Sequence, residues 1–557
     1  MRRTAYRAGW FLFYAILFFL LIGYIVYPML NTLRQAFLRE GQFTTAVFTD
    51  YITNPNNLQI IENTLWVGLG AVVCCGVLGT ALALYMTFGA RRFRKALHVL
   101  LLSPMMIPGV IIVIAFVQLY GESGILTKAV EALFRLEEAP WQFSGLPGIL
   151  FVITYTQYVY FYLNVSVGLK YLDYSAVEAA RSLGAGRVRI FIDMILPTIL
   201  PALITSAIMT FASGIGAYTA PNLIGGGYKV LSTQIVRSKA NYRMDIASAQ
   251  VLILFVMSVS VMLLLQYYKR RHPYVRSVRP TSRQDAGKRS ALLSAVCGVL
   301  AAIQLLLVLL PIAAVIYLSF NTTHSIMMSV FPTEFTLENY RQILASDRVF
   351  EPLVNSLTMS LLAVAAGLVL TVPVSYLAYR RGGKAASTVK YLMMIPWCMP
   401  VSVIGINLIN AFNVRSVFAL GQALIGGYAI LPIGYTITAL PLLLSSNDVA
   451  MESFNPVLEE ASKSLGASRW YGIWRVVLPN IAPGVASGAI LVFIRTIGEY
   501  TMSALLYGVY NRPISISMVT NMQEFRVGIS MAYGVIVIAV SYLALALVLK
   551  LDKRQQI

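Results

Sequence analysis

Apolar runs of about twenty residues recur twelve times along this chain, and nothing else in it constrains the fold as tightly. A bilayer core about 30 Å thick requires about 20 such residues per helix, and only helices or closed barrels satisfy every backbone N–H and C=O inside it. The runs lie at about 10–30, 64–88, 97–120, 146–169, 199–220, 247–268, 291–319, 355–379, 389–412, 423–446, 482–507 and 532–550. They predict an all-α polytopic membrane protein with about 12 transmembrane helices. Composition agrees, since 58% of the 557 residues are hydrophobic and 12% charged, against roughly 45–50% and 25% in soluble proteins. A disordered, secreted or soluble catalytic chain is excluded.

The formal net charge of +20 invites a nucleic-acid reading, and the placement of the charges decides against it. With the N-terminus set in the cytoplasm, 29 of the 43 Lys and Arg fall on the inner side, 13 on the outer side, and Arg495 inside a run. That asymmetry satisfies the positive-inside rule and predicts cytoplasmic N- and C-termini. The clusters responsible are Arg91-Arg92-Phe93-Arg94-Lys95, Lys269-Arg270-Arg271, Arg380-Arg381 with Lys384 and Lys390, and Lys550 with Lys553-Arg554. The first run follows Arg2, Arg3 and Arg7 without a small-x-small cleavage site after it, and reads as an uncleaved anchor. Cys74, Cys75, Cys297 and Cys398 are dispersed, with only His98, His272 and His324 to join them, so neither a zinc site nor a disulfide framework is predicted.

The chain repeats itself. Glu178-Ala179-Ala180-Arg181-Ser182-Leu183-Gly184-Ala185 returns as Glu460-Ala461-Ser462-Lys463-Ser464-Leu465-Gly466-Ala467, and Leu196-Pro197 as Leu478-Pro479, at an offset of 282. Phe211, Gly216, Tyr218 and Thr219 keep that offset to Phe493, Gly498, Tyr500 and Thr501. Earlier, Asn63-Thr64-Leu65 answers Asn355-Ser356-Leu357, and Pro104 and Pro108 answer Pro396 and Pro400, at an offset of 292. Three segments follow from this: a first six-helix unit over 1–268, a basic cytoplasmic linker over 269–290 with eight Lys and Arg, and a second six-helix unit over 291–557. Six spans per unit make the repeat parallel, about an axis along the membrane normal, and the seam between the units is where a path would lie.

The segments 170–197 and 449–479 fall on the inner side, yet each reads as helix, turn, helix, with Gly184 or Gly466 as the breaker. Their residues resemble the EAA loop of binding-protein-dependent ABC importer permeases, in which Glu-Ala-Ala, three residues, Gly, nine residues and Ile-x-Leu-Pro mark a coupling helix. Met194 and Val476 stand for the Ile, and Ser462 for the second Ala. The resemblance covers nearly the whole chain and is to the fused two-unit type, the ferric-iron, polyamine, thiamine and phosphonate permeases. It implies a type I, MetI-like importer fold in a bacterial cytoplasmic (inner) membrane. It also implies that Glu178, Ala179, Ala180, Gly184, Glu460, Ala461, Ser462 and Gly466 dock two ATP-binding cassette ATPase subunits, while an extracytoplasmic solute-binding protein delivers the solute. ATP and Mg then belong to the partners, and this chain binds no cofactor and is not an enzyme. No GxxxxGK followed by Ser or Thr occurs in it.

Arg495 and Glu499 are spaced i, i+4 within the eleventh run, where a charge costs roughly 2.5–3.5 kcal/mol, so the two are read as sharing a helix face and able to pair. Ser213 and Ala217 occupy the equivalent places, and the four are candidate path or gate residues. Tyr155, Tyr158, Tyr160 and Tyr162 cannot all share one helical face, and most read as packing residues. No metal site is assigned. The fused architecture favours ferric iron; 2-aminoethylphosphonate, a polyamine, thiamine or a sugar phosphate are the alternatives for the same machinery. A secondary transporter remains a rival class, but it gives no reason for duplicated inner-face helices.

Overall fold

The computed structural model describes residues 13–39, 42–89, 94–271 and 291–553. Arg2, Arg3 and Arg7, Arg91-Arg92-Phe93, residues 272–290 of the expected linker, and Arg554 lie outside the described residues.

The first half is built from α1 (Phe13–Phe37), α2 (Pro55–Leu84), α3 (Arg94–Leu102), α4 (Gly109–Tyr120), α5 (Gly145–Gly168), α6 (Tyr174–Ser182), α7 (Leu196–Ile215), α8 (Thr219–Ile224), α9 (Leu231–Ala240) and α10 (Met244–Arg271). The second repeats the series as α11 (Ala291–Ser319), α12 (Asp347–Arg381), α13 (Lys384–Met394), α14 (Val401–Phe412), α15 (Ile430–Glu452), α16 (Pro456–Ser464), α17 (Leu478–Ile497), α18 (Thr501–Leu506), α19 (Ile514–Gln523) and α20 (Val527–Lys553). Each helix thus has its counterpart ten numbers on. The change in sequence offset falls between α4 and α5, where the first half carries a further helix at Ile125–Phe134.

Among the described residues eleven helices are long and apolar enough to cross a membrane, and counting a bent pair, Lys384–Cys398 with Val401–Phe412 at 111°, as one span makes twelve. The ninth run is therefore not one straight helix, and the third breaks in the same way, between Met106 and Gly109. The cause is local. Ile107 and Met399 precede prolines and are extended, at φ −105° and −108°, because a proline ring disfavours a helical residue before it. The bent segments still carry the chain across. Phe88, just beyond α2, packs beside α6, and α5 also ends at α6, so the chain between α2 and α5 returns from one face to the other.

The fifth and eleventh crossings also differ from the runs read in the sequence. They occupy Val188–Ile215 and Trp470–Ile497 and stop short of 220 and 507. Each contains a widened turn, Phe191–Ile195 or Ile473–Val477, just before the repeated Leu-Pro. Pro197 and Pro479 have no N–H and their rings press on the carbonyl four residues back, so the helix absorbs them by loosening there.

The halves are intertwined. α1 packs on α14 of the second half, with Tyr24 stacked on Phe412 at 5.2 Å, and α11 packs on α4 of the first. Both α4 and α14 are buried on nearly every side; α4 is apolar almost throughout, and in α14 the buried Asn410 donates to Thr32 at 3.0 Å and to Ser248 at 2.9 Å. Tyr155, Tyr158 and Tyr162 lie on one buried face of α5 at i, i+3 and i+7, and Tyr160 is off it. Tyr155 donates to the carbonyl of Val308 in the other half at 3.2 Å, and Tyr158 to that of Leu101 at 2.5 Å.

Candidate functional sites at the duplicated loops and the seam

Local capping fixes α6 and α16. The Asp173 carboxylate accepts from the N–H groups of Ser175 and Ala176, and the Asn455 side chain from that of Val457 at 3.0 Å, caps worth about 1 kcal/mol each. At the other end Gly184 and Gly466 sit at φ +82° and +84°, a left-handed conformation that a residue with a β-carbon resists. The turn that follows repeats bond for bond. Gly184 N–H donates to Arg181 and Ala185 N–H to Ala180, while Gly466 N–H donates to Lys463 and Ala467 N–H to Ser462. This is the double closure with which a helix end satisfies its free carbonyls.

Of the residues assigned to docking, Glu178, Ala179, Glu460 and Ala461 are exposed, and Ala180 and Ser462 are half-buried against the loop's own packing. The sequence reading missed Leu183 and Leu465, which stand 88% and 89% exposed at the tips. Equivalent leucines at the same exposure could have been found from their place beside each glycine.

The second site is the seam. α7 and α17 end at Gly216 and Gly498, and each glycine presses on a proline of the other half. A β-carbon on Gly216 would lie 2.8 Å from Cβ of Pro400, and one on Gly498 would lie 2.1 Å from Cβ of Pro108. Such reciprocity, in which one pair repeats with the halves exchanged, is what a two-fold axis produces. Tyr218 and Tyr500 meet on that axis with ring centroids 5.4 Å apart and planes 26° from parallel. Asn222 of the first half donates to the Tyr500 hydroxyl at 3.1 Å.

Glu499 lies beyond the end of α17, and among the described residues no ion pair joins it to Arg495. The expected pairing is not made, because the chain leaves the helix at Gly498 and the two no longer share a face. The carboxylate instead accepts from the N–H groups of Thr501, Met502 and Ser503 at 2.9, 2.7 and 3.2 Å, capping α18. Arg495 is exposed, as is Ser213, which accepts from Gln157 at 2.9 Å. The Ala217 carbonyl accepts from the Ser232 hydroxyl at 2.6 Å, and the Glu499 carbonyl does the same for Ser515 at 2.7 Å.

The repeated Asn-Thr and Asn-Ser also find a purpose. Thr64 accepts from the Leu231 N–H at 2.9 Å and Asn63 donates to the Lys229 carbonyl at 3.0 Å. Ser356 accepts from Ile514 N–H at 2.8 Å and Asn355 donates to Arg512 at 3.2 Å. These bonds satisfy the buried starts of α9 and α19, just behind the tyrosine pair.

Residues 76–272 and 363–557 each match the family of the binding-protein-dependent transport system inner membrane component. The chain belongs to that family. It is a fused two-unit permease of the ATP-binding cassette importers, a multi-pass membrane protein whose ATPase is a separate subunit. A probable ABC transporter permease protein of Sinorhizobium fredii (strain NBRC 101917 / NGR234), y4fN, is 30% identical over 534 residues, covering 95% of this chain and 93% of that one. The ferric transport system permease protein FbpB of Actinobacillus pleuropneumoniae is 23% identical over 526 residues, 94% of this chain and 75% of its own. The sulfate transport system permease protein CysT of Escherichia coli (strain K12) is 26% identical over 171 residues, 29% of this chain and 62% of its own.

For a permease the arrangement divides into two tasks. The loops present matched apolar tips on one face of the bundle. The seam is bridged by aromatic rings whose backbones hang on the ends of α7 and α17, the helices that run continuously from those loops. Among the described residues no group of three His, Cys, Asp or Glu side chains converges as a metal-ion set.

Proposed function

We propose that this permease forms the membrane path of an importer for ferric iron, with one ATPase subunit docked on α6, another on α16, and a solute-binding protein delivering the ion on the opposite face. The observation that supports the mechanical part is the continuity of each loop with the helix that ends at the tyrosine pair. A displacement of α6 or α16 moves the start of α7 or α17, and their far ends carry Tyr218 and Tyr500. In this reading the loop face is cytoplasmic, as are both termini, and the tyrosine pair is the closed gate. Exposed Arg495 and Ser213 lie on its cytoplasmic side, about one helical turn below the break. Support for iron is the likeness to the ferric permease along nearly the full chain. The test is uptake of radioactive ferric iron by cells with and without this gene, together with the ligand bound by the cognate solute-binding protein. Iron uptake that does not change on deletion overturns the assignment of substrate and leaves the gate to be tested separately.

A second substrate, an oxyanion such as sulfate, is favoured by the exposed Arg495 beside the seam and by the likeness of part of the chain to the sulfate permease. Competition between sulfate and ferric iron in the same uptake assay separates the two.

A further inference from the structure

The two halves build the same joint from opposite chemistry. In α16 the residue before Glu460 is Glu459, whose side chain is only 8% exposed. Arg380, near the end of α12, grips it with Nη2 at 2.7 Å from Oε1 and Nε at 2.9 and 3.0 Å from the two carboxylate oxygens. Lys463 reaches the same carboxylate at 3.1 Å and the Tyr376 hydroxyl donates to it at 3.2 Å. By the repeat offsets, Glu459 corresponds to Val177 and Arg380 to Phe88. Val177 is buried with Leu172 and Ile190, Phe88 packs against that cluster, and Phe88 meets the Tyr174 ring edge-on at 6.4 Å. The neighbouring contact also differs, an ion pair in the second half and a hydrogen bond in the first. Lys390 bonds both oxygens of Asp448 at 2.8 Å, while its counterpart His98 meets the Tyr162 hydroxyl at 2.5 Å.

These chemistries differ mechanically. A guanidinium held at both carboxylate oxygens fixes distance and angle together, because the donors are rigidly placed on a plane. Apolar contact has no preferred direction, so Phe88 and Val177 can slide past one another at little cost as long as they stay covered. We propose that Arg380 and Glu459 are positioning residues that make the second coupling helix a rigid lever on α12, while the first coupling helix is compliantly seated on Phe88, just beyond α2. The two loops then pass unequal strokes to the seam. This rests on the reading of α6 and α16 as ATPase docking helices.

The test uses the full complex of permease, ATPases and binding protein in proteoliposomes, with ATP as the only added probe. The readouts are ATP turnover with and without the binding protein, the KM for ATP, and complex assembly. Arg380→Gln and Glu459→Gln are expected to lower binding-protein stimulation about 2- to 30-fold, the range over which substitutions along a coupling network act, with KM for ATP unchanged. Arg380→Lys, which keeps the charge without the fork, should retain an intermediate stimulation. The double variant Arg380→Phe with Glu459→Val transplants the first half's joint into the second. It should assemble and remain stable yet stay poorly stimulated, because a packed joint is present and a rigid one is not. Parental stimulation in the transplanted variant, or in both Gln variants, overturns the proposal. An unaltered complex whose ATPases fail to bind α6 and α16 overturns the docking reading instead, and that outcome is seen before any variant is made.

Discussion

Tyr218 and Tyr500 occupy equivalent positions in the two halves and stack on one another, ring centroids 5.4 Å apart, where α7 and α17 end. A residue that touches its own counterpart lies on the symmetry axis, so this pair marks the line along which the halves must separate if anything is to pass between them.

An aromatic pair contributes about 0.5–1.5 kcal/mol beyond its area. Tyr218→Ala and Tyr500→Ala should each raise the population of the open seam by roughly 2- to 12-fold on that scale. Leak of a small dye from proteoliposomes measures it. The two effects should fall short of additive in the double variant; strict additivity would mean that the rings do not act as one closure.

Gly498 and Gly216 can be ranked before any experiment. A methyl at Gly498 meets Pro108 at 2.1 Å, whereas one at Gly216 meets Pro400 at 2.8 Å. Overpacking of this kind costs about 1–3 kcal/mol, with Gly498→Ala expected at the upper end and Gly216→Ala at the lower. Thermal unfolding in detergent gives the order, and a reversed order contradicts the packing described.

At the loop tips the backbone decides. Gly184→Val and Gly466→Val force a branched residue into a left-handed conformation at about 1–2 kcal/mol and should uncouple ATP hydrolysis from uptake without preventing membrane insertion. Asparagine tolerates that conformation, so Gly184→Asn and Gly466→Asn should keep more activity than the valine variants. Equal loss in both would point to the side chain being excluded by a partner, not to the turn.

For Glu499 the prediction follows from its three N–H donors. Glu499→Ala removes the cap of α18 and should cost about 0.5–2 kcal/mol, with Glu499→Gln intermediate. Arg495→Ala should leave thermal stability unchanged, because no ion pair ties Arg495 to Glu499. If Arg495→Ala destabilises as much as Glu499→Ala, the pair is coupled after all.

Much of this architecture is legible in one dimension. The span count and the repeat came from the length of apolar runs and from offsets of 282 and 292, and the loops from a capped, glycine-terminated helix pattern. The prolines at 108 and 400 are visible within the apolar runs, but run length alone does not say that the helix bends at them. The i, i+4 spacing of Arg495 and Glu499 misled for a related reason, since spacing implies a shared face only while the helix continues, and this one ends at Ile497.

Residue order alone indicated about twelve apolar spans, their arrangement in two like halves, and the segments between them that carry helical patterns, because solvation of backbone and side chains in a bilayer is a property of each stretch by itself. Folding decided which counterparts meet on the axis, what Glu499 holds, and that α16 is fastened by ions and α6 by packing. Those outcomes depend on groups tens to hundreds of residues apart arriving within bonding distance, such as Arg380 and Glu459, and no local pattern records that distance.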